Sequence, residues 1–189
     1  MSNSTAIETF GKTLIVRFTQ PEIRNPLSMS VLESLGSVLD DALISPNIER
    51  LVFTGTGNSF ASGADLREIA ELTAEQVREF ALRGQRLMNR IANSSKPTAA
   101  AVNGFCFGGA LDLALVCSER RASPTATFCH PGAGLGIITG WSGTQRLPRL
   151  IGQANALEMF FTAASINAER ALRIGLIDSI NDDPLHAAL

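Results

Sequence analysis

The sequence predicts an α/β fold built on a mostly parallel sheet, and three observations carry that expectation. Short apolar, β-branched runs alternate along the chain with stretches of helical periodicity, the pattern of strands joined by crossover helices. A strand-like run, a Gly-rich turn and a helix-like run follow one another twice, at LVFTGTGNSFASGADL and at AAAVNGFCFGGALDL. The 189 residues are 45% hydrophobic and 18% charged, enough apolar content for one core without a disulfide or metal staple. A single domain over residues 1–189 is therefore expected.

Taken in order, Thr13–Phe18 (TLIVRF) reads as a strand. After the Pro-flanked loop QPEIRNP, Ser30-Val-Leu-Glu33 has the form of a capping box. Val31, Leu35, Val38, Leu39 and Ala42 then keep helical spacing up to Ser45-Pro46. Arg50–Thr54 is a second strand, followed by the turn GTGNSFASG and a helix start at Ala64–Ile69. Thr73-Ala-Glu-Gln76 is another capping box, opening an amphipathic helix with Val77, Phe80, Ala81, Met88 and Ile91 inward. Thr98–Val102 is a small-residue strand, NGFCFGG a turn and Ala110–Cys117 an apolar helix. Thr125–Cys129 is a further strand before the Gly-rich HPGAGLGIITGWSGT. Gln153–Thr162 and Asn167–Ile174 are helices, the second capped by Asn167 and stopped at Gly175.

Several function classes drop out. A net charge of -2 and only two lysines, Lys12 and Lys96, leave no basic surplus for nucleic acid. The stretch from Pro97 to Ser118 carries one charge, Asp112, but Asn103, Gly104, Gly108 and Gly109 break it, so a membrane span is not expected. Cys106, Cys117 and Cys129 are odd in number and lack zinc-type pairing, which suits reduced thiols in the cytoplasm. The polar Met1–Gly11 stretch does not read as a signal peptide. No metal-ligand spacing is present. A dinucleotide fingerprint fails because Phe60 stands where the third glycine belongs. Gly140-Trp-Ser142-Gly143-Thr144 approaches a nucleophile elbow but ends in Thr, and His130 and His186 are the only histidines.

What remains is the pair of turns together with Asp112. Each turn places free backbone N–H groups at a helix start, where they can hold an anion or a developing oxyanion. Asp112 lies one helical turn after Gly109, and the chain has no charged side chain between Ala122 and Gln145. Two readings stay open for it: a proton shuttle to an atom held by those amides, or a first-turn acid that stabilises the helix dipole. His130 could reach such a site or serve only in packing.

The segments PEIRNPLS, LVFTGTGNSFASGADL, KPTAAAVNGFCFGGALDLALVC, GLGIITGWSGTQRLPRLIG and AERALRIGLID together make the chain resemble the crotonase superfamily, the enoyl-CoA hydratase/isomerase family. The resemblance runs from about Thr13 to Ile180. It implies the ββα spiral fold of the ClpP/crotonase class, with the helical tail of relatives shortened beyond Asp183-Pro184. It also implies an acyl-CoA thioester substrate, an enolate intermediate, no separate cofactor because coenzyme A is part of the substrate, and a homo-oligomer, trimer or hexamer. By position, the oxyanion-hole amides fall on Ala64 and Gly109. Coenzyme A and acyl contacts fall on Ile23, Arg24, Ala64, Asp65, Leu66 and Arg67, with Asp65 favoured as a structural cap.

The acids depart from the family. The first of the two hydratase glutamates is Asp112 here, and the second position is Gly132. The acid that dienoyl-isomerase relatives use eight residues on falls on Gly140. The resemblance thus implies an enoyl-CoA hydratase/isomerase-like enzyme with Asp112 as its one acid/base. The alternatives are a catalytically weak or inactive acyl-CoA-binding homologue, and a one-acid decarboxylase or hydrolase of the same superfamily.

Overall fold

A computed structural model describes residues 4–189. In chain order the elements are β1 (Thr5–Phe10), β2 (Thr13–Phe18), a 3-10 turn (Pro21–Ile23), α1 (Met29–Ile44), β3 (Arg50–Thr54), β4 (Ser59–Ala61), α2 (Leu66–Ala70) and α3 (Ala74–Ala92). There follow β5 (Thr98–Val102), β6 (Phe105–Phe107), α4 (Gly109–Val116), β7 (Glu119–Ala122), β8 (Thr127–Cys129), α5 (Gly132–Leu135) and α6 (Gly143–Ile151). The chain ends with α7 (Gln153–Thr162), β9 (Ile166–Asn167), α8 (Ala168–Arg173), β10 (Ser179–Ile180) and α9 (Pro184–Ala188).

Two sheets form. The larger runs β1-β2-β3-β5-β7-β10 and is parallel apart from the β1/β2 hairpin. The smaller runs β4-β6-β8-β9, and β9 pairs antiparallel. The α/β architecture with a mostly parallel sheet is thus as expected. The spiral arises because β3, β5 and β7 of the first sheet are each followed at once by β4, β6 and β8 of the second. The two turns of the candidate site lie just after β4 and β6.

The central strand β5 is Thr-Ala-Ala-Ala-Val, and all five residues are buried. Its alanines alternate between faces. Ala100 and Val102 join the main core with Leu111, Leu113 and Met88, whereas Ala99 and Ala101 pack with Val52 and Ala188 from α9. Small side chains let helices approach both faces closely.

Several local expectations are revised. The cap of α1 is Ser28, whose hydroxyl accepts from the Val31 N–H at 3.3 Å; Ser30 lies inside the helix. Val77 is exposed, one step outside the buried stripe of Phe80, Leu87, Met88 and Ile91. The turns GTGNSFASG and NGFCFGG contain the short strands β4 and β6, which are hidden by their glycines. Ala64 precedes a helix rather than starting one, since Asp65 caps α2. Three elements had no signal of the expected kind. In β1 only Thr5 is buried, so no apolar run marks this edge strand. In β7 the buried Arg120 donates to the carbonyls of Cys117 and Leu176 at 2.8 and 2.9 Å and pairs with Asp178. In α6 both Gly143 and Pro148 mask the helix. The helices at Gln153–Thr162 and after Asn167 fall where the periodicity puts them.

Asn25 ties the loop before α1 to the smaller sheet. Its side chain donates to the carbonyls of Ser59 (2.8 Å) and Phe60 (3.2 Å) and accepts from the Gln20 N–H (2.6 Å), and its backbone is left-handed at φ 51. Asn25→Ala leaves these buried groups unmet in a conformation alanine disfavours, so urea unfolding should report a loss of about 3 kcal/mol.

Candidate active site

The two turns meet through their backbones. Gly63, at φ +85, is placed so that a Cβ would sit 2.6 Å from the Gly109 nitrogen and 2.7 Å from the Phe107 carbonyl oxygen. No residue but glycine permits this approach. The Gly63 carbonyl accepts from the Leu27 N–H at 2.8 Å. In a trans peptide the following N–H points the opposite way, so the Ala64 N–H faces away from Leu27. Gly109 is the first residue of α4, where an N–H has no intrahelical acceptor. Gly108 before it takes φ 56 and ψ -123, a glycine conformation, while its N–H is fixed to the Cys129 carbonyl at 2.8 Å. Ala64 and Gly109, separated by 45 positions, are therefore brought close together through Gly63.

The loop of residues 20–27 borders this place. Leu27 bridges Ala64, and the Ser62 N–H bonds to the Asn25 carbonyl. Ile23 and Leu66 are exposed. Arg24 stands over the Phe105 ring, 5.0 Å from its centroid, and its carbonyl accepts from the Ser59 hydroxyl. Asp65 is buried; it caps α2 through the Arg67 N–H and holds the exposed Arg67 guanidinium at 2.7 Å. That pairing depresses its pKa through the side-chain hydrogen bond. Asp65 is thus the structural cap the sequence favours, flanked in the chain by Ala64, Leu66 and Arg67.

Asp112 lies in the first turn of α4 but is 0% exposed. Its Oδ2 accepts from the Thr139 hydroxyl, and its Oδ1 lies 3.6 Å from His130 Nε2. A Cβ at position 143 would collide with that Oδ1, so Gly143 opens the room the carboxylate occupies. Burial raises the carboxyl to about 7, against the Thr139 hydroxyl, the amides of Trp141 and Gly143 and the charge of Arg146, which favour the ionised form. Burial also lowers His130 to about 4. Trp141, itself buried, closes the chamber: Cβ atoms at Gly84 in α3 and Gly109 in α4 would both strike its indole.

Gly132 is more than a missing side chain. It opens α5, and its carbonyl accepts from the Ile137 N–H at 3.0 Å, folding the segment so that a Cβ would run into the Ile137 carbonyl. A Cβ at position 140 would meet only the Ala81 methyl, at 3.7 Å, and the Gly140 carbonyl accepts from Gln85. Ser142, the residue of the incomplete elbow, sits at φ 86 just before α6. His186 is in α9, away from this group. Thr139 and Trp141 carry no titratable group and sit in a Gly-rich run, so nothing in the sequence marks them. The packing of that run over Asp112 is what makes them part of the site.

Gly132→Glu is expected to lower stability by about 1–3 kcal/mol, because the segment must be displaced to admit a Cβ; thermal or urea unfolding measures it. Asp112→Asn tests the buried carboxyl. The native group has a raised pKa, so its contribution to stability is present below about 4 and is lost as pH rises towards 7. Relative to wild type, Asp112→Asn should therefore gain progressively over that range, by on the order of 4 kcal/mol at about 1.4 kcal/mol per unit. Urea midpoints at stepped pH give the comparison.

Residues 9–186 match the family described as Enoyl-CoA hydratase/isomerase. The chain is similar to a short-chain-enoyl-CoA hydratase of Clostridium acetobutylicum, 37% identical over 94% of this chain and 69% of the relative. It is also similar to a crotonyl-CoA hydratase of Syntrophomonas wolfei, 39% identical over 92% of this chain and 67% of the relative. Among solved structures, an enoyl-CoA hydratase from Bacillus anthracis superposes with a TM-score of 0.91 at 32% identity, covering 98% of this chain and 72% of that one. With two stacked sheets, paired glycine turns and these matches along nearly its whole length, the chain has the crotonase fold and belongs to the enoyl-CoA hydratase/isomerase family.

Proposed function

We propose that this chain acts on acyl-CoA thioesters by stabilising an enolate between the N–H groups of Ala64 and Gly109, with Asp112 as its acid/base. The observation that carries the reading is the contact between the two turns, where Gly63 admits no side chain against the Gly109 nitrogen. Rigid amides aimed at a developing oxyanion supply a large share of rate enhancement, each donor being worth about 3 kcal/mol. The exposed Ile23 and Leu66 and the cations of Arg24 and Arg67 at the rim suit a pantetheine chain and phosphates. Because Asp112 is covered, the segment of residues 133–140, with Thr139 on the carboxylate, moves aside for substrate in this reading. The site needs no cofactor beyond the coenzyme A of the substrate. Among the described residues no helix is long and apolar enough to cross a membrane. The same reading keeps the enzyme in the cytoplasm as a homo-oligomer, trimer or hexamer.

A second reading is a weak or inactive acyl-CoA-binding homologue, or a one-acid decarboxylase or hydrolase of the superfamily. The complete burial of Asp112 and the closed backbone at Gly132 favour it. Hydration of crotonyl-CoA followed by absorbance, beside calorimetric titration with the same thioester, separates the two. Turnover together with binding supports the first, and binding without turnover supports the second. Asp112→Ala should cut turnover by about 10²–10⁴-fold while leaving the calorimetric Kd near the wild-type value. Hydration that survives the substitution would remove Asp112 from the mechanism.

A further inference from the structure

His130 has no hydrogen-bond partner at either ring nitrogen, yet it is 3% exposed. The Asp112 Oδ1 is likewise buried and unpartnered. These orphaned atoms face one another, Nε2 to Oδ1 at 3.6 Å, in a space that the absent Cβ of Gly143 leaves free. Buried polar atoms normally find partners, and His130 Nε2 is the side-chain group that stands against this oxygen, while the Trp141 and Gly143 amides also act on the carboxylate. The opposite oxygen of Asp112 is taken by Thr139, and the Phe160 ring lies against the imidazole at 5.0 Å. We propose that Asp112 and His130 form one neutral pair sharing a single proton between them, placed on Asp112 Oδ1 and accepted by His130 Nε2, and that His130 thereby positions the proton of the site's buried acid.

The alternative arrangement of the same proton is an imidazolium–carboxylate ion pair. It would bury two charges in an apolar chamber, whereas the neutral pair buries none; both leave the Nδ1–H without an acceptor, at greater cost when the ring is cationic. The directions of titration agree: burial lifts Asp112 to about 7 and depresses His130 to about 4, so between these values the proton resides on the carboxyl. The other titratable groups acting on Asp112 are Arg146 of α6, whose charge opposes protonation, and the Cys106 thiol of β6, held neutral by burial. Beside His130, the Cys129 thiol is also held protonated by burial and donates to the Ala163 carbonyl. His130 touches no substrate in this scheme. It acts through Asp112, where relatives of the hydratase type have a second acid at the position of Gly132. That catalytic consequence rests on the acyl-CoA reading; the paired proton does not.

The test is ¹⁵N NMR of the imidazole in the intact chain between pH 4.5 and 8.5, for wild type and Asp112→Asn. The expected spectra show a neutral ring above pH 5, with Nε2 shifting in one step near pH 7 as the carboxyl loses its proton. Asp112→Asn should erase that step. An imidazolium signature persisting at pH 6, or an Nε2 shift that ignores both pH and Asp112→Asn, would overturn the pair. Where crotonyl-CoA is turned over, His130→Phe should lower kcat at least tenfold with KM unchanged and displace the pH-profile limb near 7. His130→Gln, which keeps an acceptor, should recover part of kcat. Unchanged kcat and pH profile in His130→Phe would refute the positioning role. A chain that turns over no thioester refutes the catalytic reading alone, since the NMR titration decides the proton's place without substrate.

Discussion

The approach of Gly63 to the Gly109 nitrogen is the constraint on which the rest of the site depends. Two strand–turn–helix units, each following a pair of strands from the two sheets, can bring their backbones this close only if one turn has no side chain. The sheets deliver the turns to the right depth: β4 and β6 are adjacent and parallel, so the segments leaving them run side by side. Gly108 then bends α4 away with a backbone conformation closed to other residues, and its N–H anchors to β8. The alanines of β5 make the same demand from beneath, because α4 must lie close on that strand for its first turn to reach Gly63. Small residues at distant positions thus serve one geometric purpose.

Above that frame the electrostatics are governed by burial. An exposed aspartate in a first helical turn would be ionised and worth a modest dipole term. Covering Asp112 with Thr139, Trp141 and Gly143 reverses the balance, because desolvation then outweighs all the groups that favour its charge. His130 meets the same desolvation with the opposite sign. Folding consequently transfers a proton from the side chain that would hold it in the unfolded chain, the histidine, to the one that holds it in the native chamber. The number of protons bound changes little between about pH 4 and 6.5, so the pair contributes little net pH dependence there although each member separately contributes much.

How far the site was legible depends on which physical signal each part leaves in the chain. The glycine turns, the strands β2, β3 and β5 and the helices α1, α3 and α7 announce themselves by periodicity and by residues that only turns require. The backbone positions of Ala64 and Gly109 are reachable by the same route, being properties of a turn and a helix start. The environment of Asp112 was not. Its burial is imposed by Thr139, 27 residues downstream, and by Trp141 just beyond it, and no spacing rule relates a helix to the segment that folds over it. β7 escaped for a related reason: an Arg-Arg strand looks like surface until Asp178 and two carbonyls satisfy Arg120 inside.

The closed backbone at Gly132 and the burial of Asp112 are linked through one segment. The Ile137 N–H closes a turn onto the Gly132 carbonyl, which winds residues 132–135 into α5 and excludes a Cβ at position 132. The same turn sets the direction from which the chain arrives at Thr139, and so brings its hydroxyl onto Asp112. A glutamate at position 132 would need this turn opened, and opening it would withdraw Thr139 and uncover the carboxylate. Glycine at positions 132, 134, 136 and 140 gives the segment the freedom to take this path. Against the covered carboxylate stands the His130 imidazole, its Nε2 3.6 Å from Oδ1.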